Sequence, residues 1–374
     1  MAGTAALGEL SEAPPTGLSL AQSADDAALR ALLRRSVLPG PVRVALTREP
    51  CYAAGEGLAG AEDTTLVSRR DGRIAGIGRC SVNTQVLDGR ASRVGYLAEL
   101  RVIPGSPGAP RMLREGYEYL ETHVAPTLDA CFTSIGAGNE RARRVLERGA
   151  RFGLPAYRRL GDLVTLVAPI PPMRIASTER EVIVDEDALL AFLRVQSARS
   201  RLGLAWTDVQ WNALSAHGID HSSFVVVMRD RRVAGAAAIW DQRAFRQVVV
   251  DGYDGALRYT RPLVNVALAL RGEPRLPPPG SVLAQGMLLG ASVVDPSDWP
   301  ALWAAIAHRA AGTGLRWLVV SRAAGDPELD ILRRTLHARE YRTTLYDVRW
   351  RMMNQRGLLP PGEARPLRPE VSLL

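Results

Sequence analysis

The chain has 374 residues, of which 47% are apolar and 23% charged, and its formal net charge is +8. That length exceeds one average domain, and the balance is that of a globular chain, which sets disordered and fibrous classes aside. No apolar run approaches the roughly 18 residues that span a bilayer, and the start MAGTAALGELSEAPPTG lacks a basic stretch followed by an apolar one, so no membrane span or secretory leader is expected.

In chain order, LSLAQ reads as a strand. SADDAALRALLRRS follows as a helix, with Ser23 as cap and two acidic residues in its first turn. Residues 64–82 read as a hairpin turning at Asp71-Gly72, and a second turn at Leu87-Asp88-Gly89-Arg90 leads into a strand over 92–102. That strand ends in VIPGSPGAPRML. Strand, Gly/Pro loop and helix start within a dozen residues is how folds hold phosphate, because the free amides and the dipole of a helix N-terminus favour an anion. Leu113, Gly116, Tyr117, Leu120 and Val124 then share one helical stripe. A buried-type strand, DACFTSI, precedes Ala137-Gly138-Asn139 and the helix ERARRVLERG, and GDLVTLVAPI closes this half as a strand.

PIPPMR (169–174) reads as a linker. Beyond it the pattern repeats: a helix from DEDALL, a hairpin over 224–240, a strand in 281–296, a helix after Ser297, a strand over 315–321, the helix PELDILRRTLHARE and a strand over 343–350. An insertion at 257–280 interrupts the copy. The economical reading is a duplication, with an N-terminal extension at 1–17, domains at 18–168 and 175–352, and a Pro-rich tail at 353–374 expected to fray.

Three dispersed cysteines (Cys51, Cys80, Cys131) show neither ligand spacing nor a disulfide framework, so a reducing, cytoplasmic setting and no metal site are expected. All 47 basic residues are arginine, and they are spread along the chain rather than gathered with aromatics. A GC-rich coding bias accounts for that more simply than a nucleic-acid surface does.

The stretches GYLAELRVIP, PGSPGAPRML, CFTSI and GNERARRVLERGA resemble the GNAT superfamily, which moves acyl groups from coenzyme A to amines. The resemblance implies an α/β fold of two tandem GNAT-like domains, each a mixed, mostly antiparallel sheet flanked by helices. It implies an acetyl-CoA or longer acyl-CoA co-substrate and an amine acceptor on a small molecule or peptide. In that family a helix N-terminus after the Gly-rich turn cradles the pyrophosphate. The matching positions run from Pro107 to Met112, with Pro110 standing where a glycine is usual. Gly108, Ala109, Arg111 and Met112 would supply amides, Arg101, Val102 and Ile103 the strand edge for the thioester oxygen, and Ser134 and Asn139 the far side of the thioester arm.

Glu99 lies where many members keep a basic carboxylate, and it also breaks the apolar trend of GYLAELRV, so a partner or a function is required of it. Its plain alternative is an ion pair with Arg101 or Arg93. The family's acid position is Leu146 here, and Tyr157 is the nearest substitute. His123 and His221 stand alone and rank lower. The second half has no glycine loop, and Asp295 and Asp298 would repel a pyrophosphate. It is expected to be a non-catalytic wall of the acceptor site, with Trp240, Asp241, Arg243 and Tyr253 facing the cleft. The rival readings are a non-catalytic binding protein of the same fold and a binder of charged tRNA or other RNA.

Overall fold

The computed structural model describes residues 17–103, 106, 108–171, 184–351, 357–358 and 365–374. The N-terminal segment to residue 16, residues 172–174 of the linker and most of 352–364 lie outside them.

The first half begins with β1 (Gly17–Leu20) and α1 (Asp26–Arg35), which buries Leu29, Leu32 and Leu33. The short β2 (Val37–Leu38) and β3 (Val42–Thr47) were not anticipated by pattern. Then β4 (Glu62–Arg70), β5 (Arg73–Leu87) and β6 (Arg90–Val102) form a meander. Its turns stand where expected. Asp71 and Gly72 have φ of 48° and 72°, and Asp88 and Gly89 have 52° and 75°. Two successive positive φ values match the twist of a hairpin, and Asp-Gly tolerates them at least cost. Next come α2 (Ala109–His123), β7 (Ala130–Gly136), α3 (Glu140–Glu147) and β8 (Ala156–Pro169).

The second half repeats the plan with α4 (Glu186–Ala198), α5 (Asp208–Ala216), β9 (Phe224–Arg229), β10 (Arg232–Trp240), β11 (Gln247–Tyr253), α6 (Leu257–Leu270), β12 (Gln285–Val293), α7 (Trp299–Ala310), β13 (Trp317–Ala323), α8 (Leu329–Leu336) and β14 (Arg339–Arg349). In each half an antiparallel set ends in one parallel pair, β6 with β7 and β12 with β13. The crossover helix is α2 in one half and α7 in the other. The inserted segment 257–280, expected only as an interruption, contains α6.

One eleven-stranded sheet runs through both halves in the order β1-β4-β5-β6-β7-β14-β8-β13-β12-β10-β9. The last strand of each half lies beside the other half's sheet. β14 pairs with β7 from Thr343–Gly136 to Asp347–Phe132, and β8 pairs with β13 from Trp317–Pro169 to Ala323–Leu163. The two exchanged strands also pair with each other along their full length. A second, three-stranded sheet, β11-β3-β2, ties the halves together again. Neither half therefore closes its own backbone ladder, and an unpaired central strand edge is costly.

On one face of the first half, α2 and α3 cover Leu66, Val82 and Leu97 with Tyr117, Leu120 and Leu146. On the other face, α1 and Tyr52 cover Val67 and Ile77. The tail, expected to fray, packs instead over residues 365–374. Leu367 and Ser372 are buried, and Arg368 is ion-paired with Asp326 at 2.6 Å. Charge pairing and burial hold a segment whose composition alone reads as loose.

Candidate active site

A one-residue irregularity in β6 sets the geometry. Ala98 pairs with Arg79 and Arg101 with Ile77, so Gly78 alone opposes both Glu99 and Leu100. Glu99 takes φ of 55° there, a left-handed conformation in a strand. Such a conformation costs a non-glycine residue about 1–2 kcal/mol and persists where the surroundings over-determine it. The bulge turns the Glu99 side chain toward the face of α1 and the junction with the second half.

Its partner is neither Arg101 nor Arg93. Arg48, just past β3, donates to Glu99 Oε1 through Nε at 2.8 Å and Nη2 at 2.7 Å, and the Tyr52 hydroxyl donates to Oε2 at 2.5 Å. The Arg48 side chain is 4% exposed and that of Glu99 17%. The guanidinium also lies over the Tyr52 ring, 4.9 Å from its centroid. Burial, then the neighbouring Glu99 charge, pushes the Tyr52 phenol far above its usual range, so it stays protonated and donates. Arg93 is spent elsewhere, on Glu62 at 2.7 Å, and the Arg101 guanidinium donates to the Leu100 carbonyl at 3.0 Å.

Two further carboxylates border this pair. Asp63 is held by Arg79 at 2.6 Å, by the Ser81 hydroxyl and by the Gly57 amide, yet burial raises its carboxyl above the ordinary value. Burial, then the Asp63 charge, raises Glu56 likewise. From the second half comes Arg246, which donates to the carbonyls of Ser372 and Leu374 in the tail. Burial, then the nearby Arg48 charge, lowers it to about 10. A small cavity of about 20 Å³ at this junction is lined by Ser81, Asn83, Tyr96, Arg246 and Leu373, among others. Residues of both halves and of the tail thus meet at this junction.

On the other side of β6 a gap opens. β6 and β7 pair from Val94–Ala130 to Leu97–Thr133, and beyond that register they part. Ser134 sits at the fork, its hydroxyl 2.8 Å from that of Tyr96. Asn139 caps α3 by accepting from the Ala142 amide at 3.2 Å. The Ile103 amide is consumed by the Ala75 carbonyl at 2.9 Å, whereas Val102, by the alternation of an antiparallel edge, turns its backbone toward the gap. At the outer end α2 opens on Gly108, whose φ of 82° suits only glycine well. The Met112 amide is bonded to the Gly108 carbonyl, so the helix start offers Ala109 and Arg111, and Arg111 is paired with Glu115 at 2.6 Å. Pro107 lies outside the described residues.

Several expected site residues lie elsewhere. Tyr157 is buried on the α2 face, its hydroxyl 2.5 Å from that of Tyr117, and its phenol is pushed well above the usual range by burial. Its position in β8 turns it into the core, away from Glu99. Trp240 is 2% exposed and packs on Phe245. Tyr253 is buried and donates to the Pro277 carbonyl. Asp241 and Arg243 pair with each other at 2.6 Å near the surface, and Arg243 does line a groove of about 720 Å³ between the halves, with Thr47, Glu49 and Gln247. The arginine of that stretch that reaches the site is Arg246, three residues on.

Sequence reasoning also missed Tyr341, which the exchanged strand β14 carries to the fork. Its hydroxyl lies 2.7 Å from where a Cβ on Gly136 would stand, so a side chain at the end of β7 would displace the phenol. The ring is 44% exposed, and the Arg101 charge acts on it across the mouth of the gap. Among the described residues no group of three side chains converges to hold a metal ion, and no helix is long and apolar enough to cross a membrane.

No family model matches the chain, and no curated protein matches it. Solved structures do. A GCN5-related glucosamine N-acetyltransferase region of a fungal multi-domain GH3 β-N-acetylglucosaminidase superposes with a TM-score of 0.55 at 14% identity, over 90% of this chain and 38% of that one. A tandem GNAT protein from the clavulanic acid biosynthesis pathway gives 0.48 at 11% identity, over 92% and 98%. A GCN5-related N-acetyltransferase from Anabaena variabilis gives 0.40 at 10%, over 75% and 62%. The chain thus spans well under two thirds of the fungal protein and slightly under two thirds of the cyanobacterial one. The fold is that of the GCN5-related N-acetyltransferases.

Proposed function

We propose that the chain is an acyl-CoA-dependent N-acyltransferase acting on an amine of a small molecule or peptide. The observation that carries this reading is Glu99, held at positive φ in the β6 bulge by Arg48 and Tyr52, with the gap between β6 and β7 behind it. The gap fits an extended thioester arm: one edge carries strand amides that lack a β7 partner, and the outer end meets the start of α2. The α2 N-terminus would take the donor's pyrophosphate on the amides of Ala109 and Arg111, with Gly108 leaving room for it.

The acceptor amine enters on the α1 side of β6, where Glu99 faces the junction of the two halves. Its nitrogen lone pair attacks the thioester carbonyl carbon, the C–N bond forms, and the carbonyl oxygen takes up charge beside the bulge, where one strand's amides are left out of the ladder. The nitrogen's proton passes to Glu99, directly or through one water. A carboxylate has about four lone-pair sites, and Arg48 and Tyr52 leave room for this acceptance. The C–S bond breaks as the carbonyl reforms, and the thiolate takes a proton. Tyr157 is out of reach for that step. Tyr341 stands at the fork, and burial raises its phenol above the ordinary value, so it remains a proton donor at neutral pH. Solvent returns the proton from Glu99 to Tyr341, leaving an amide and a free thiol.

The test is incubation of the protein with acetyl-CoA and a panel of primary amines and short peptides, reading free thiol and acylated product by mass. Amine-dependent thiol release supports the assignment. Binding of the thioester without transfer to any amine would favour the non-catalytic reading.

A further inference from the structure

An apolar slot lies between α2 and the sheet, on the face opposite the Glu99–Arg48 pair. Its volume is about 70 Å³, and its walls include Leu66, Gly78, Leu97, Leu100, Gly116 and Tyr117. That volume is several times the roughly 10–15 Å³ a cavity needs before it can hold even one water. Helix–sheet interfaces are normally filled to crystal density, and a void of this size forfeits the contacts of every side chain around it.

Two missing side chains leave it open. A Cβ on Gly116 of α2 would meet nothing within 4 Å, and one on Gly78 of β5 would touch only Leu100 Cδ1, at 3.9 Å. The slot also has a definite connection. Ala98, Leu100 and Arg101 line it, and these flank the bulge at Glu99; Val102 and Met112 line it too, beside the start of α2. A thioester carbonyl seated at the bulge therefore has the slot within reach of its acyl carbons.

Its chemistry selects the occupant. Ser68 is a hydroxyl on the wall, while the Tyr117 hydroxyl is taken up by Tyr157. The amides of a pantetheine arm would find few partners there, and an unpartnered buried amide is expensive. A saturated hydrocarbon chain needs none.

We infer that the slot under α2 receives the acyl chain of the donor, and that the protein prefers a medium-length acyl group, of about six to eight carbons, over acetyl. This rests on the acyl-CoA reading of the preceding section. Each buried methylene tightens binding up to about fourfold, and ordering of the chain takes back part of that gain.

The experiment is calorimetric titration of the intact protein with acetyl-CoA and octanoyl-CoA, on the native chain and on Gly116→Leu and Gly116→Met. These variants fill the slot from the α2 wall, away from the bulge, and a melting curve on each checks folding. Gly116→Leu also raises helix propensity, so loss of the fold is not expected from it. The native protein is expected to bind octanoyl-CoA at least about tenfold more tightly than acetyl-CoA, and either variant to abolish that difference while keeping acetyl-CoA affinity. Equal affinity for both thioesters on the native chain would overturn the inference and leave the donor reading standing. So would a variant that weakens both thioesters alike, because the slot would then hold the arm they share. No binding of either thioester would overturn the donor reading and this inference with it.

Discussion

Replacing Glu99 with Gln keeps the size of the side chain and removes its charge. Arg48, 4% exposed, then keeps a hydrogen-bond acceptor and loses its direct counter-ion. Stranding one member of a buried pair costs about 3–5 kcal/mol when the remaining charge is uncompensated. Here Asp63 and Glu56 also act on Arg48 at longer range, and the Gln carbonyl still accepts, so a loss of about 2 kcal/mol is the better figure. For catalysis the loss is larger. General-base transfer contributes about 10²–10⁴-fold, or about 3–5 kcal/mol of the barrier. Glu99→Gln is therefore expected to lower amine-dependent thiol release at least a hundredfold, with donor affinity unchanged, because the side chain faces away from the gap. Arg48→Met alone strands the carboxylate instead, and the double variant Arg48→Met/Glu99→Gln is expected to be more stable than the two single losses added together, read from denaturant melts. Turnover by Glu99→Gln within threefold of native would refute the reasoning, as would additive stability losses in the cycle.

Tyr341→Phe is expected to lower turnover about a hundredfold with natural thioesters and far less with an aryl thioester, whose thiolate leaves without a proton; equal losses for both would remove the phenol from the mechanism. Cys80, with its thiol pushed up to about 12 by burial, and Cys131, likewise raised, are expected to resist thiol reagents while exposed Cys51 reacts, so a colorimetric titration should find one fast thiol in the native state and three in denaturant. Burial raises the Glu370 carboxyl, so the folded state holds its proton to higher pH than the unfolded chain does. That contribution is fully present below the unfolded value near pH 4 and is lost as pH rises through the folded value; Glu370→Gln is expected to flatten the fall in Tm there, and an unchanged slope would contradict this. A chain ending at residue 171 keeps β8 but loses both neighbours of that strand, β14 and β13, and is expected to show no cooperative melt by circular dichroism.

What the sequence discloses here is local. Asp71-Gly72 and Asp88-Gly89 carry their turns in two residues each, because few other pairs tolerate two positive φ values, and the leucine spacing of α1 and α2 follows from helix period alone. Glu99 stands out because a carboxylate in an apolar strand needs an explanation. Its partner does not stand out, since Arg48 is 51 residues away in a segment with no strong period, and an arginine-rich chain offers many equivalent candidates. The same ambiguity separates Arg243 from Arg246: both follow Trp240 closely, and only the packing of the tail decides which one is enclosed. Strand exchange is the least legible feature. Alternation marks 161–170 and 343–350 as strands, missing the first residues of each, and says nothing about their neighbours; that choice carries Tyr341 to the fork and Tyr157 into the core.

The account turns on whether the gap between β6 and β7 and the start of α2 hold an acyl-CoA. The direct measurement is calorimetric titration with acetyl-CoA of the native protein and of Ala109→Glu. Glu at the first turn suits the helix dipole and leaves the fold intact, while its charge opposes a pyrophosphate. Saturable one-to-one binding, weakened at least about tenfold by the substitution, is the predicted result. Absence of binding to the native protein, or equal binding by both proteins, would contradict the placement of the donor.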